Sequence, residues 1–210
     1  MVVVGCAGFP VPPTKYFKEF AFAEVADCTP GSGTVRRWRR EAPKTFGFAV
    51  FAPKEMVGDA FKESDRQREG FDALVQLTKE LDARIAVVGV PDDVPANRNT
   101  KSALKDLLVR AREACPRVVV WANHWGDDDV LKVASDADVH AALDPLKSGV
   151  AKGKFAYYRL PGPAGYKSRY EDPVIDELGA IVGTMKHEEA YVVFANVDMA
   201  QDAKRLSKQI

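Results

Sequence analysis

Short runs of apolar, mostly β-branched residues recur along the chain and alternate with longer segments in which apolar residues return every three or four positions. The first pattern predicts strands buried on both faces, and the second predicts amphipathic helices. Eight strands are predicted, at residues 2–6, 23–27, 46–51, 85–90, 118–121, 139–143, 155–160 and 191–195. Because eight parallel strands alternating with helices favour closure, the pattern predicts a TIM (β/α)8-type barrel, an α/β fold, as a single domain over residues 1–210.

Seven helices are predicted, at residues 14–20, 34–42, 65–81, 101–114, 128–135, 173–185 and 199–210. Thr34 and Thr100 stand where N-caps are expected, and Pro173 suits a first helical position. The linker 144–154 between the sixth and seventh strands is glycine-rich and too short for a full crossover helix, so that helix is predicted to be shortened or missing. An open doubly wound sheet stays possible, but no Gly-x-Gly-x-x-Gly follows the first strand, so a dinucleotide site has no support.

Charge and cysteine content narrow the function classes. Lysine plus arginine equals aspartate plus glutamate at 30 each, so no overall field attracts the protein to nucleic acid, and such a partner would need a local patch. No run approaches the ~20 apolar residues of a membrane-spanning helix, so no membrane partner is expected. The three cysteines, Cys6, Cys28 and Cys115, are too scattered for a disulfide framework or a paired-cysteine zinc site. A cytoplasmic location is therefore expected.

Several short motifs follow one another from the first predicted strand to the last. They are Gly-Cys-Ala-Gly-Phe at 5–9, Glu-Val-Ala-Asp at 24–27, Thr-Val-Arg-Arg-Trp at 34–38, Pro-Lys-Thr-Phe-Gly-Phe-Ala-Val at 43–50, Tyr-Tyr-Arg-Leu-Pro-Gly at 157–162, the Tyr-x-x-x-Tyr loop at 166–170 and Phe-Ala-Asn at 194–196. In order and spacing they resemble the domain of unknown function family 72, the YecE-like proteins. The resemblance covers nearly the whole chain and implies a TIM-barrel fold.

The chain departs from the family pattern at polar positions expected at strand ends. Ala26 stands where the family has asparagine, Phe51 replaces a lysine, Pro161 replaces the histidine of Arg-Leu-His-Gly, and Ala195 replaces the first asparagine of the closing pair. The family's Glu-Phe-Arg-His signature is largely absent near residues 119–125, where His124 stands in for the histidine in a shifted register. The resemblance therefore implies a divergent member with altered or lost activity.

In a TIM barrel the loops at the C-terminal ends of the strands form the active site. Polar residues expected at that face are Glu24, Asp27, Asn123, His124, Asp144, Arg159, Asn196 and Asp198. If the protein is an enzyme, Asp27 or Asp144 is the expected general base and Arg159 the electrostatic stabiliser. Glu24, Asn123, His124 and Asn196 are predicted ligand contacts.

Arg159 is the first choice among these residues. A guanidinium in an apolar strand must be paired or bind an anion, because burying it alone is very costly. One interpretation is an internal ion pair with Glu24 or Asp27, and the other is ligand binding. The two interpretations are compatible if the ion pair orients the arginine for a ligand.

The Gly/Pro-rich loop after the seventh predicted strand carries further candidates. Lys167 and Arg169 supply positive charge, while Tyr166 and Tyr170 supply flat faces and hydroxyl groups. This combination suits a phosphate, a carboxylate or a nucleotide, although the spacing is not that of a P-loop. The alternative is an exposed loop with solvated cations and tyrosines packed over the barrel.

Two weaker patterns concern metals and polyanions. His124 with Asp127, Asp128 and Asp129 invites a metal interpretation, but these aspartates open a predicted helix, where capping and the helix dipole already explain them, so no metal site is assigned. The four arginines of the run 36–40 either lie around most of a solvated outer helix, which Trp38 anchors to the core, or form a phosphate-backbone patch.

The leading hypothesis is a barrel that binds a small anionic or phosphorylated ligand at its C-terminal face, with cofactor and reaction unknown. The second is metal-dependent nucleic-acid processing, as in endonuclease-like barrels. The third is a non-catalytic barrel that serves as an interaction surface.

Overall fold

The computed structural model describes residues 1–210, and its eight strands form a closed parallel barrel in the order β1 to β8. The strands are β1 (Val2–Ala7), β2 (Phe22–Val25), β3 (Gly47–Phe51), β4 (Ile85–Gly89), β5 (Val118–Trp121), β6 (His140–Leu143), β7 (Phe155–Leu160) and β8 (Glu189–Phe194). The predicted TIM-barrel fold is confirmed. Most residues of the strands are apolar and buried, as expected for strands that are covered on both faces.

Nine α-helices surround the strands: α1 (Pro13–Glu19), α2 (Gly33–Glu41), α3 (Lys54–Val57), α4 (Asp65–Glu80), α5 (Arg98–Ala114), α6 (Asp127–Asp136), α7 (Pro145–Ser148), α8 (Asp172–Gly183) and α9 (Met199–Ser207). The short α3 and the 3-10 turn Asp59–Phe61 after it were not predicted. Between β6 and β7 only the four-residue α7 forms, which confirms the shortened helix predicted there. None of the helices has the length and apolar character needed to cross a membrane. The cytoplasmic location stays a prediction.

Both predicted threonine N-caps are wrong. Helix α2 begins earlier than Thr34, and the Ser32 hydroxyl accepts the cap hydrogen bond from the Val35 amide at 3.3 Å. Helix α5 is capped by Asn97, whose side-chain carbonyl oxygen accepts from the Thr100 amide at 3.0 Å. Thr100 completes this capping box from the third helical position by accepting from the Asn97 amide. In both cases a polar cap residue upstream extends the helix by satisfying amides of the first turn.

Contacts within the chain divide it into two compact units. Unit 1 comprises residues 1–24, 44–46 and 142–210, and unit 2 comprises residues 25–43 and 47–141. Two of the four boundaries fall inside β2 and β6, and the other two lie between α2 and β3. The single domain expected from the sequence stays a prediction, and each unit is described by itself.

Unit 1 is organised around β1, β7 and β8, and β8 pairs with both of the other strands. Tyr16 of α1 is fully buried; its hydroxyl donates to the carbonyl of Phe22 at 2.8 Å and accepts from the Cys6 amide at 2.9 Å. Gly5 allows β1 to approach β2, because a Cβ atom there would lie 2.4 Å from the Phe22 carbonyl oxygen. This packing fixes β1 and β2 relative to each other within the unit.

Unit 2 is organised around β3, β4 and β5, whose residues pair in register from Ala49 with Ile85 to Gly89 with Trp121. Helices α4 and α5 cover these strands with fully buried leucines, among them Leu74 and Leu108. Both helices carry these apolar residues on one side, as the sequence pattern predicted.

Candidate functional site

The most buried ion pair of unit 1 joins Glu24 of β2 to Arg159 of β7. The Arg159 Nε and Nη2 atoms donate to Glu24 Oε1 at 3.1 and 3.0 Å, so the guanidinium presents one edge to the carboxylate. The Glu24 side chain is 2% exposed and the Arg159 side chain 12% exposed. The structure thus contains the ion pair that the sequence offered as one alternative, with Glu24 as the partner within this unit.

Tyr157 completes this cluster from the same strand as Arg159. Residues two apart on a strand point to the same face, and the Tyr157 hydroxyl donates to Glu24 Oε2 at 2.8 Å. Burial, together with the neighbouring Glu24 charge, raises the pKa of Tyr157 well above its ordinary value, so the phenol stays protonated and acts as a donor. We call Glu24, Tyr157 and Arg159 the Arg159 cluster. Sequence reasoning missed Tyr157, although its i, i+2 spacing from Arg159 was the available signal.

Replacing Tyr157 with phenylalanine is expected to lower the free energy of unfolding by about 1.5–3 kcal/mol, because a buried carboxylate loses a donor. Urea denaturation measures the change. Tyr166→Phe is the matched control, since Tyr166 is 60% exposed, and it should change stability by less than about 0.5 kcal/mol. Equal unfolding free energies for the two variants would contradict a supporting role for the Tyr157 hydroxyl.

Asp144, predicted as a general base, caps the short helix α7. Its Oδ1 accepts from the Leu146 amide at 3.1 Å, and its Oδ2 lies 3.7 Å from Lys147 Nζ. The Asp144 side chain is 12% exposed. These contacts explain the aspartate structurally, and its catalytic role stays a prediction.

The loop after β7 is held largely by its own hydrogen bonds. The buried Tyr170 hydroxyl accepts from the Gly162 amide at 2.9 Å, and the Ser168 hydroxyl accepts from the Ala164 amide at 2.9 Å. Gly162 adopts a φ of 103° and lies so close to Gly165 that a Cβ atom would be 2.3 Å from the Gly165 carbonyl oxygen. The Gly162 and Ala164 amides are thus occupied by side chains of the same loop.

The predicted loop contacts fall into two groups. Tyr166, Lys167 and Arg169 are exposed or partly exposed, and Arg169 lies 3.4 Å from Glu171. Tyr170 is buried, and burial raises the pKa of its hydroxyl. Tyr166, Lys167 and Arg169 therefore reach solvent, and their role as ligand contacts stays a prediction, whereas the Tyr170 hydroxyl supports the loop.

A buried polar network connects the end of β8 to α9. The Asn196 amide nitrogen donates to Asp202 Oδ2 at 2.7 Å and to the Ser168 carbonyl at 3.0 Å. Asp202 also accepts from the Tyr170 amide and pairs with Arg205. Asn196 Oδ1 is buried and has no hydrogen-bond partner. The sequence pointed to Asn196 as a ligand contact and missed Asp202, which anchors the loop.

Unit 2 holds the other predicted residues. His124 Nε2 lies 2.7 Å from the Val94 carbonyl oxygen, and His124 Nδ1 lies 3.6 Å from Asp92 Oδ1. Asn123 is exposed. Asp27 is also exposed, and its φ of 52° places it in the left-handed region.

The aspartates that suggested a metal site have a structural explanation. Asp127, Asp128 and Asp129 lie in the first turn of α6, where they complement the helix dipole, and Asp129 pairs with Lys101 at 2.8 Å. No group of three or more His, Cys, Asp or Glu side chains is arranged to hold a metal ion. All three cysteines are free, and burial raises the pKa of the Cys6 thiol to about 12.

A closed barrel of eight parallel strands alternating with helices defines the chain as a TIM-barrel protein. Within this class it matches the family model "Protein of unknown function DUF72" over residues 27–210, and the chain belongs to this family. The family expected from the motifs is therefore confirmed. Among curated protein sequences, none matches the chain.

Solved structures agree with this fold. A DUF72 family protein from Enterococcus faecalis V583 superposes with a TM-score of 0.82 at 15% identity, covering 100% of this chain and 95% of its own. A xylose isomerase domain containing protein from Salmonella typhimurium LT2 gives a TM-score of 0.62 at 14% identity, covering 97% of this chain and 93% of its own. Endonuclease IV from Thermus thermophilus gives a TM-score of 0.55 at 11% identity, covering 99% of this chain and 97% of its own. At these identities the likeness shows the fold alone.

Proposed function

We propose that this DUF72 protein binds a small anionic or phosphorylated ligand at the C-terminal end of β7, with Arg159 contacting the anion. The observation that carries the proposal is the fixed orientation of Arg159. Its Nε edge is bound by Glu24, Tyr157 holds the same carboxylate, and 12% of its side chain reaches the surface. A guanidinium with a fixed planar fork loses little entropy on binding a carboxylate or phosphate.

The location supports the proposal independently. Arg159 is the second-last residue of β7, and in TIM barrels the loop after this strand often contributes a phosphate site. Lys167 and Arg169 of that loop add positive charge. Because the Gly162 and Ala164 amides are already occupied, side chains of the loop are the expected ligand contacts. No reaction is assigned to the protein.

Glu24 sets a limit on which anions bind well. Its charge offsets that of Arg159, so binding depends on how many charge-assisted hydrogen bonds a ligand accepts more than on net attraction to the pair. A dianionic phosphate group, which accepts several hydrogen bonds and carries more charge, is favoured over a simple monoanion.

The two other hypotheses have less support. A nuclease of the metal-dependent kind needs clustered carboxylates and histidines, and no such group is arranged in this chain. The formal net charge of zero also offers no general attraction for nucleic acid. The non-catalytic interaction surface stays a hypothesis, and no specific observation favours it.

Thermal unfolding with inorganic phosphate, compared with chloride at matched ionic strength, tests the proposal. Phosphate is expected to raise the melting temperature of the natural protein and to leave that of the double variant E24Q/R159M unchanged. The double variant is used because it removes the arginine without leaving a buried carboxylate unpaired. Arg112→Met is the control, since Arg112 also pairs with one carboxylate, that of Asp138, and lies outside the Arg159 cluster, so this variant should keep the full shift. No shift in the natural protein, or the same shift in E24Q/R159M, would overturn the proposal.

A further inference from the structure

Unit 2 contains a cleft of about 310 Å³ at the C-terminal ends of its strands. Its wall is formed by residues that end or follow β2, β3, β4 and β5, including Asp27, Phe51, Gly89, Asp92 and Trp121. The volume lies at the lower end of the ~300–1,000 Å³ typical of small-molecule sites. A ligand of monosaccharide size therefore fits better than a nucleotide or a peptide.

Two aromatic rings line the cleft. The ring centroids of Phe51 and Trp121 lie 6.1 Å apart with an interplanar angle of 69°. Gly89 pairs with Trp121 across β4 and β5, and a Cβ atom at Gly89 would lie 2.2 Å from the Phe51 ring. The glycine thus leaves the space that the Phe51 ring occupies beside β4. The result is a shaped apolar wall, which packs well against a ligand with a flat C–H face.

Three charged side chains line the same cleft: Asp27, Asp92 and Lys54. All three are exposed, and the φ of 52° at Asp27 is an unusual backbone conformation for a residue other than glycine. Two carboxylates accept hydrogen bonds and one ammonium donates them, so the cleft offers both kinds of partner to a ligand.

We infer that this cleft binds a neutral, hydroxyl-rich ring, namely a monosaccharide-sized carbohydrate. Phe51 and Trp121 pack against its apolar C–H face, Asp27 and Asp92 accept from its hydroxyl groups, and Lys54 donates to a hydroxyl or ring oxygen. Two carboxylates against one ammonium disfavour an anionic ligand, while Lys54 disfavours a cation. A neutral polyol uses every polar group of the cleft.

This inference does not rest on the proposed anion site. The two involve different residues and opposite charge requirements, because the Arg159 cluster favours a dianion and the cleft disfavours one. A failure of either leaves the other standing.

Saturation-transfer difference NMR with neutral aldopentoses and aldohexoses tests the inference. The ring C–H protons of one or more sugars are expected to receive saturation from the natural protein. Trp121→Ala should abolish the signal by removing half of the aromatic wall. Asp27→Asn should weaken binding roughly five- to fifteen-fold, because a hydrogen bond to a charged group becomes a neutral one. Asparagine also tolerates the left-handed backbone at this position, so the D27N variant keeps the fold.

Asp127→Asn is the matched control, since Asp127 is an exposed aspartate that does not line the cleft, and it should leave the sugar signals unchanged. Methylphosphonate and tetramethylammonium, whose methyl protons are visible in this experiment, serve as anionic and cationic probes, and circular dichroism confirms that each variant is folded. The inference is overturned if no sugar gives a signal, if D27N binds as tightly as the natural protein, or if only tetramethylammonium binds.

Discussion

Replacing Arg159 with methionine is expected to lower the free energy of unfolding by about 3–5 kcal/mol, because the substitution leaves Glu24 as an uncompensated buried charge. The Glu24 side chain is only 2% exposed, and the Arg159 guanidinium donates to it from both Nε and Nη2. Tyr157 still donates to the carboxylate, but one neutral hydrogen bond does not replace a charged partner. Urea denaturation followed by circular dichroism measures the loss.

The double variant E24Q/R159M separates the cost of an unpaired charge from the value of the pair. It is expected to recover most of the stability lost in R159M, since replacing both members of a buried ion pair by uncharged groups is often close to neutral. The interaction free energy between Glu24 and Arg159 in a double-mutant cycle should therefore be large. A loss below about 1 kcal/mol in R159M would contradict the burial of Glu24, because only a carboxylate that reaches water tolerates losing its partner so easily.

Replacing Asp202 with alanine is expected to cost about 3–5 kcal/mol and to loosen the loop after β7. Asp202 is 1% exposed, accepts from the Asn196 side-chain amide at 2.7 Å and from the Tyr170 backbone amide at 3.4 Å, and pairs with Arg205. Its removal takes an acceptor away from each of these donors. Hydrogen exchange should then become faster at the amides of residues 162–170, in addition to the lower unfolding free energy.

Asp172 provides the matched control for this prediction. Asp172 also pairs with Arg205, but its side chain is 82% exposed. Asp172→Ala should therefore lower the free energy of unfolding by less than about 1 kcal/mol and leave the loop amides protected from hydrogen exchange. Similar losses in D172A and D202A would contradict the role of Asp202 as the buried anchor of the loop.

The barrel itself was predictable because its strands are short apolar runs separated by amphipathic helices. The shortened helix between β6 and β7 was predictable from the glycine-rich linker. The N-cap residues were harder to predict. Thr34 and Thr100 lie inside helices that begin upstream, where Ser32 and Asn97 accept hydrogen bonds from amides of the first turn. A threonine at the edge of an apolar pattern does not by itself reveal which polar residue binds those amides.

The site was predictable in part. An arginine in an apolar strand required a partner, but the sequence could not choose between Glu24 and Asp27, because that choice depends on where β2 ends. The strand ends at Val25, so Glu24 lies within it and Asp27 lies beyond it. Asp202 was missed because an aspartate in an amphipathic helix such as α9 resembles a surface residue until its buried neighbours are known.

Diffraction from crystals soaked in arsenate, a phosphate analogue with an anomalous signal, tests the central claim most directly. The Arg159 cluster predicts an anomalous difference peak within hydrogen-bonding distance of the Arg159 guanidinium. A peak confined to exposed cations such as Lys167, with none at Arg159, would contradict the assignment of this arginine as the anion contact.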